Sequence, residues 1–485
     1  MSPAEPGKAQ CFAVKRGDLK ERLDPKFILH GGHQPLKGVH LVPLGELVVR
    51  EPEYGSGERA IPIQSPADLK YIRITDFDDD GIVPGNEFVT AENIEDRYIL
   101  VDGDVLFARS GATAGKTLLY SSEIGSSIFA GYCIRFRFDA KRALPSFIYF
   151  CTKTSRYKAW VRSIQRPSGQ PNINKEEFKS FTVPFPPLAV QREMVVEMEA
   201  ARESRRRKMQ EADALLSGID AFLLDSLGIT LPEPRVDPRW CWAVRRSETI
   251  IERRLDPYRY APRTRKLRQM IAAGIFKTHP LATLIEEPVS GDWGVAASER
   301  DDTAEYVDCL VIRSTEFDDI ENLILDNDRV RHRFLEIRNY QAKLLQVGDI
   351  LLEKSGGGPL QPVGRVAIIQ HEHLKDRRIF FANFVMRLRP TGDVLPIYLW
   401  SFLGLVNRCG LTASMQAQTH GIRNLKLDEY LLQPVPVPDG RVQEKIAKEV
   451  LKRRMDARRL REEAAREWEA AKAHFEARLL GEAVQ

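Results

Sequence analysis

VPFPPLAVQREMVVEMEAARESRRRKMQEADALLSGIDAFLLDSL, from Val183 to Leu227, decides the architecture of this chain. Pro184, Pro186 and Pro187 fix an extended lead-in, and no proline follows in the stretch. Apolar residues then return at Met194, Val195, Met198, Ala201, Met209, Ala212, Leu216, Ile219 and Leu223, while ARESRRRK (Ala201 to Lys208) supplies a charged exterior. Returns at intervals of three and four are those of a helix with one apolar face, and such a face needs a partner. The chain provides one. VPVPDGRVQEKIAKEV, from Val435 to Val450, repeats the proline lead-in, and Val442, Ile446, Val450, Ala457, Leu460, Ala464, Trp468, Ala471, Phe475 and Leu479 carry a similar stripe towards the C-terminus. Two long helices that each close one half of the chain imply an internal duplication, and the simplest burial sets their stripes against each other.

Other stretches repeat in the same order. RLDPKF (Arg22 to Phe27) returns as RLDPYRY (Arg254 to Tyr260), YIRITDFDD (Tyr71 to Asp79) as LVIRSTEFDD (Leu310 to Asp319), and DGDVLFARSGAT (Asp102 to Thr113) as VGDILLEKSGGG (Val347 to Gly358). IRFRFD from Ile134 answers to MRLRPT from Met386. The chain is therefore read as two copies of one module, with residues 1–187 and 229–438 as the copies and residues 188–228 and 439–485 as the long helices. Within the first copy, β-rich runs at Val39–Val49, Tyr71–Phe77, Asp104–Arg109, Lys116–Ser121 and Tyr132–Phe138 alternate with glycine turns. A helix is expected over Leu144–Ile164, then the polar loop Gln165–Asn174, then a short helix KEEFKSF that Asn174 could cap. The second copy offers a helix at Pro396–Cys409, the loop MQAQTHGIRNLK and a helix at Leu427–Leu432. Each copy is thus an α/β (α+β) globule bearing a protruding helix.

At 485 residues the chain exceeds one ordinary core, and with 43% hydrophobic and 29% charged residues its composition is globular. No apolar run is long enough to span a membrane, and MSPAEPGKAQ lacks the order of a secretory signal, so the cytoplasm is the expected location. The six cysteines are scattered singly, which fits buried thiols rather than a zinc or redox pair. Seventy-two basic residues against 68 acidic ones give a net charge of only +4, so affinity for a polyanion must come from local clusters.

No catalytic or metal-binding constellation is legible. SGATAGKT (Ser110 to Thr117) has three residues between glycine and Gly-Lys, one too few to wrap a nucleotide phosphate, and its counterpart lacks Gly-Lys. A dinucleotide-binding glycine fingerprint and the Asn-Pro-Pro-Tyr type tetrad of amino-methyltransferases are both missing. HEH (His371 to His373) is read as a loop, and DFDDD (Asp76 to Asp80) and EFDDIE (Glu316 to Glu321) as solvated turns. The polar loops are more informative, because arginine, glutamine, asparagine, serine and histidine can donate and accept at base edges while glycine lets backbone approach a groove. The candidate DNA contacts of the first copy are Arg109, Ser110, Lys116, Arg162, Gln165, Arg166, Ser168, Gln170, Asn172, Asn174 and Lys175. Those of the second are Lys354, Ser355, Arg365, Arg408, Gln416, Gln418, His420, Arg423, Asn424 and Lys426.

RLDP, YIRITDF, the GDVLFARSGATAGK turn, SGQPNIN and PFPPLAVQ leading into a long helix, nearly all in duplicate, resemble the specificity (S) subunit of type I restriction–modification enzymes. The resemblance covers nearly the whole chain. In the second copy Lys354, Gly357 and Asp439 depart from Arg, Ala and Pro at matched positions, the Gly-Lys turn is stretched, and in the first Val190 replaces an acid common before the glutamine. It implies two target-recognition domains separated by two helices in an antiparallel coiled coil, each domain reading half of a split site in double-stranded DNA. It also implies a noncatalytic chain with no cofactor of its own, S-adenosylmethionine, ATP and magnesium belonging to methyltransferase and restriction subunits. The helices would dock those partners, with Gln191, Met194, Met198, Leu216, Ile219, Leu223, Gln443, Ile446, Leu460, Trp468 and Phe475 as the expected docking residues. Three other readings stay open: the DNA-recognition subunit of a methylation-only or other defence complex, a metal-dependent nuclease in its own right, and a coiled-coil scaffold that binds no DNA.

Overall fold

Each module is organised on a four-stranded antiparallel sheet whose inner strands are covered on both faces. The computed structural model describes residues 39–79, 81–83, 85–164, 171–232, 243–247, 257–301, 303–318, 322–326, 330–357, 361–419 and 422–481. In the first module β1 (Glu53–Tyr54), β2 (Val105–Ala108), β3 (Thr117–Leu119) and β4 (Cys133–Phe136) lie in the order β1-β4-β2-β3. Every residue of β2 and β4 is buried. Alternate side chains face opposite sides of a strand. Val105 and Phe107 therefore join an aromatic core with Phe136, Phe147, Trp160 and Phe178, while Leu106 and Ala108 pack with Ile72, Phe77 and Phe129.

The expected helix Leu144–Ile164 is two helices, α1 (Pro145–Cys151) and α2 (Ser155–Ile164). Thr152 and Thr154 donate their hydroxyls to the carbonyls of Tyr149 (2.6 Å) and Cys151 (2.7 Å), an alternative to the next helical turn. Lys153, only 5% exposed, turns inward and donates to the Thr117 carbonyl (3.1 Å) and hydroxyl (3.0 Å). Next come α3 (Lys175–Ser180) and the 40-residue α4 (Leu188–Leu227), the latter as the periodicity predicts.

The second module repeats this frame. Strands β5 (Val289–Ser290), β6 (Ile350–Glu353), β7 (Ser355–Gly356), β8 (Val366–Ile368) and β9 (Val385–Leu388) give a sheet ordered β5-β9-β6-β8. Here α5 (Pro396–Arg408) runs unbroken, and β10 (Gln416–Thr419) and β11 (Ile422–Leu425) join β7 in the order β7-β11-β10. Then follow α6 (Leu427–Leu431) and the 41-residue α7 (Gly440–Leu480). A parallel pair recurs too, Lys70–Ile72 with Ser127–Phe129 in one module and Tyr306–Ile312 with Ile379–Phe381 in the other. Of the two RLDP motifs, the first lies outside the described residues, as do residues 254–256 of the second. HEH is not a loop: His371–Leu374 form a short helix.

The acidic runs are not simply solvated turns. Asp76 and Glu316 are fully buried, where they accept from the backbone and guanidinium of Arg73 and Arg313 respectively. A second ion pair is duplicated at the sheet. Asp104 accepts from Arg137 at 2.6 and 2.8 Å, and Asp349 from Arg389 at 2.7 and 2.8 Å, which holds both guanidinium groups above their ordinary range.

The described chain forms two compact units, residues 1–209 with 462–485 and residues 210–461, so the division falls within the long helices and not at their ends. The physical reason is that different parts of each helix bury their apolar faces in different cores. In the first unit Met194, Met198, Trp468 and Phe475 join the core of the first module, and Lys208 pairs with Glu467 (2.5 Å) and Arg478 with Glu197 (2.6 Å), an antiparallel register. In the second unit Ile219, Leu223 and Ile446 join the other module's core, Ala212 packs with Ala457 and Leu460, and Arg461 pairs with Asp213 (2.7 Å). Leu216 is half-buried against the same residues. The apolar residues expected to dock partner subunits are therefore engaged inside the chain.

Gln191 and Gln443 are also internal. The Gln191 side chain accepts the Leu144 N–H (3.1 Å) and donates to the Pro186 carbonyl (2.9 Å), pinning α4 to the start of α1. Gln443 accepts from Leu395 (2.8 Å) and donates to Pro438 (2.9 Å), doing the same for α7 and α5. Removing such a buried partner leaves an amide unsatisfied, so Gln191→Ala and Gln443→Ala are each expected to lower stability by about 1–3 kcal/mol. Chemical denaturation measures this, and an unmoved midpoint would show that the bonds add nothing beyond what water supplies.

Candidate nucleic-acid interface

The end of β2 and the segment before α3 are brought together by the fold. Ile173 donates its N–H to the Arg109 carbonyl (2.8 Å), Gly111 donates to Pro171 (3.0 Å), and Ser110 and Asn172 face each other as a β-bridge. The turn that follows depends on Gly115, whose φ of +92° disfavours any side chain and whose added Cβ would lie 2.5 Å from Val161. Tyr157 supports it from α2 by donating to the Gly115 carbonyl (2.8 Å). This is a braced turn rather than a phosphate-wrapping loop. Behind it Asn174 accepts from Glu177 N–H (2.9 Å) in a reciprocal capping box, so its side-chain oxygen is engaged at the start of α3.

Arg109 projects from this clamp. Its guanidinium lies over the Tyr54 ring at 4.8 Å and its Nε donates to Asn172 Oδ1 (3.3 Å). The Tyr54 hydroxyl accepts from Lys175 N–H (3.3 Å), while the Lys175 ammonium lies 3.6 Å from Glu51. The Arg109 backbone is held by Tyr132, whose own side chain is exposed. Asn172 is exposed, Lys116 is half-buried, and Arg162 is exposed on α2.

The second module builds the same clamp from different side chains. Leu425 donates to the Lys354 carbonyl (2.8 Å), and Ser355 faces Asn424 in the β7–β11 pair. The Ser355 hydroxyl donates to Asn424 Oδ1 (2.7 Å), and the Lys354 ammonium donates to Ser290 Oγ (2.8 Å). Ser290 takes the place of Tyr54, since each precedes a glycine packed against strand carbonyls. A Cβ on Gly55 would lie 2.4 Å from the oxygens of Phe129 and Ala130, and one on Gly291 2.1 and 2.3 Å from those of Phe381 and Ala382. Phe384, exposed like Tyr132, holds the Lys354 backbone. Burial first, and the nearby Lys343 charge second, hold Lys354 below the usual lysine range.

Arg423 and Asn424 are half-buried on β11, Gln418 lies on β10, and Gln416 starts that strand with its amide donating to Thr412 (3.2 Å). Lys426 is the N-cap residue of α6 and lies 3.9 Å from Glu429. Two expected DNA contacts are engaged elsewhere. Arg365 forks onto the buried Glu353 (2.9 and 3.1 Å) and the Ser314 carbonyl (2.9 Å), and Arg408 forks onto Asp220 of α4 (2.6 to 3.1 Å). Gln165, Arg166, Ser168, Gln170 and His420 lie outside the described residues. Tyr54, Tyr132, Ser290 and Phe384 were not singled out from sequence. Their signal is positional: Tyr132 and Phe384 stand at the same distance before the repeated IRFR and MRLR runs.

Residues 59–203, which include the first clamp apart from Tyr54, match the family model for the type I restriction modification DNA specificity domain. No curated protein matches the chain. Among solved structures, a chain of the type I R-M system described for its complex assembly and conformational transition is 16% identical over 93% of this chain and 98% of its own, with a TM-score of 0.46. The HsdS subunit from Thermoanaerobacter tengcongensis is 16% identical, covering 94% and 100%, with a TM-score of 0.34. The S subunit from M. genitalium is 10% identical, covering 92% and 98%, with a TM-score of 0.43. Arg109 and Asn172 of the clamp thus lie within the residues that this family model matches. Among the described residues no group of His, Cys, Asp and Glu is placed to hold a metal ion, and no helix is long and apolar enough to cross a membrane.

Proposed function

We propose that this chain is the noncatalytic DNA-recognition subunit of a type I restriction–modification assembly, in which each module reads one half of a bipartite site. The observation that carries the reading is the duplicated clamp, a basic residue and a serine locked to an asparagine that precedes a short helix, on equivalent strands of both modules. Asn172 and Asn424 each receive a hydrogen bond at the amide oxygen. The amide NH2 is thereby oriented to donate to a base-edge acceptor, while Arg109, Lys116 and Lys354 supply positive charge for phosphates. Methyltransferase subunits, and restriction subunits with them, dock on the long helices through the faces left outside the chain's own cores. S-adenosylmethionine, ATP and magnesium belong to those subunits, and the assembly works in the cytoplasm.

The test is selection of duplexes from a randomised pool by the chain assembled with its methyltransferase subunits. Asn172→Ala is expected to relax base choice in one half-site and Asn424→Ala in the other, by about 1–3 kcal/mol where the contact is bidentate. Lys116→Ala is expected to weaken all sequences alike and to flatten the salt dependence. Equal losses on every duplex for both asparagine variants would remove the clamps as readers. DNA cleavage by the purified chain with magnesium alone would favour the nuclease reading instead.

A further inference from the structure

The two clamps share a frame, but their immediate surroundings differ in one respect that bears on what each can read. Two residues beyond the packed glycine, the first module has Gly57, around which an added Cβ would meet nothing within 4 Å. The second module has Trp293 at that position. Its indole is half-buried on the cluster of Val307, Cys309, Val311, Leu335 and Phe380. Two guanidinium groups lie against the ring, Arg333 at 4.7 Å and Arg313 at 6.0 Å from its centroid.

Arg333 comes from a strand, Arg331–Glu336, that pairs antiparallel with Tyr306–Ile312. In the first module the cluster that holds Tyr71 is completed instead by Ala91 and Val89, from the uncharged strand Val89–Ala91. Arg313 has its fork on Glu316, so it contributes charge and a wall. Arg333 differs, since its buried Nε meets no acceptor among the described residues. The stack also adjoins the clamp. A Cβ built on Gly356, the residue after Ser355, would lie 3.8 Å from Ser314 Oγ, next in sequence to Arg313. Ser290, which holds Lys354, is three residues before Trp293, a span of no more than about 11 Å.

Resting on the DNA-recognition reading above, we propose that the Trp293–Arg333 stack is a base-reading element of the second module, aiming a guanidinium at a guanine edge in double-stranded DNA. The physical case is preorganisation. A planar guanidinium lying on an aromatic face loses few rotamers on binding, and its fork geometry matches the O6 and N7 acceptors of guanine as an ammonium cannot. The first module has Gly57 where Trp293 stands and so no counterpart of this stack there, its own stacked guanidinium being Arg109 over Tyr54 in the clamp itself.

Arg333→Lys separates this from a role in charge or folding, because it keeps the cation and removes the planar fork. The experiment is selection from a randomised duplex pool by the assembled complex, wild type beside Arg333→Lys, Asn172→Ala and Asn424→Ala. Wild type is expected to enrich a two-part sequence. Arg333→Lys is expected to lose a preference of about tenfold or more at a G·C pair in the half that Asn424→Ala alters, leaving the half that Asn172→Ala alters unchanged. Unchanged selection by Arg333→Lys would overturn the inference while leaving the two-reader function standing. A uniform loss on every duplex would also overturn it, by making Arg333 a phosphate contact. Failure of wild type to enrich any sequence would overturn the DNA-recognition reading and this inference together.

Discussion

Asp104→Ala is expected to cost the first module about 3–5 kcal/mol, the range for removing one partner of a buried ion pair. The carboxylate is 0% exposed and engaged at both oxygens. Arg137 forks onto it, the Val101 N–H donates to it at 3.0 Å, and the Arg135 guanidinium, itself buried, lies 3.8 Å away. Alanine would leave these donors facing a cavity. Arg137 could partly rehydrate, since 27% of its side chain reaches solvent, but Arg135 at 1% could not. Arg135 keeps the Ile99 and Arg97 carbonyls and the Glu53 carboxylate, which limits the loss to one pair and not a whole network. Asp349→Ala should act alike in the second module, where Asp349 accepts from Arg389 and from the Gln346 N–H (2.7 Å). Thermal unfolding of each variant tests this, with the exposed Glu51→Ala as the control expected to melt as wild type does. Wild-type melting of Asp104→Ala would mean that water or a neighbouring acceptor takes over.

The duplication was legible because its repeats are backbone-determining. The buried strands before each clamp must be apolar, the glycines must be small, and the proline lead-ins must be extended, so those residues survive in both copies. The period of α4 and α7 was legible for the same reason. What stripes cannot reveal is which core covers them, and Met194, Trp468 and Phe475 read equally well as partner-facing or self-facing until the fold sets them around Phe147 and Phe150. The break after α1 is hidden because the apolar positions on either side of it, Phe150 and Tyr157, keep helical spacing, and Thr117, distant in sequence, helps to draw Lys153 inward. At the clamps, Arg109, Ser110 and Asn172 were found separately from their residue types, and the fold joins them. Arg365 and Asn174 carry equally suitable side chains, yet Glu353 and the α3 N-terminus engage them first. Trp293 gave no signal, since its meaning comes from Arg333 on another strand.

Phe475→Ala decides whether the apolar face of α7 belongs to the chain or to a partner. The ring is 3% exposed, with centroids 5.9 Å from Phe147 and 6.1 Å from Phe150 on α1, and it shares the first module's core with Leu479 and Met198. Beside it Glu476 accepts from the N–H groups of Ser155 (2.9 Å) and Arg156 (3.0 Å), so the end of α7 is tied to the start of α2 by polar bonds as well. Truncating a buried phenylalanine removes its transfer free energy and opens a cavity, about 3–5 kcal/mol together. That loss is expected in the thermal unfolding of the chain alone, before any partner is added. Val196, on α4 but 67% exposed, gives the opposite expectation: Val196→Ala should change stability by no more than about 0.5 kcal/mol, leaving any effect on co-purification with a methyltransferase subunit to be read as docking. If Phe475→Ala melted like wild type and lost the methyltransferase, the face would belong to the partner. The packing of Phe147 and Phe150 around Phe475 argues for the first outcome, because a face already filled by its own module has no room for another protein's side chains.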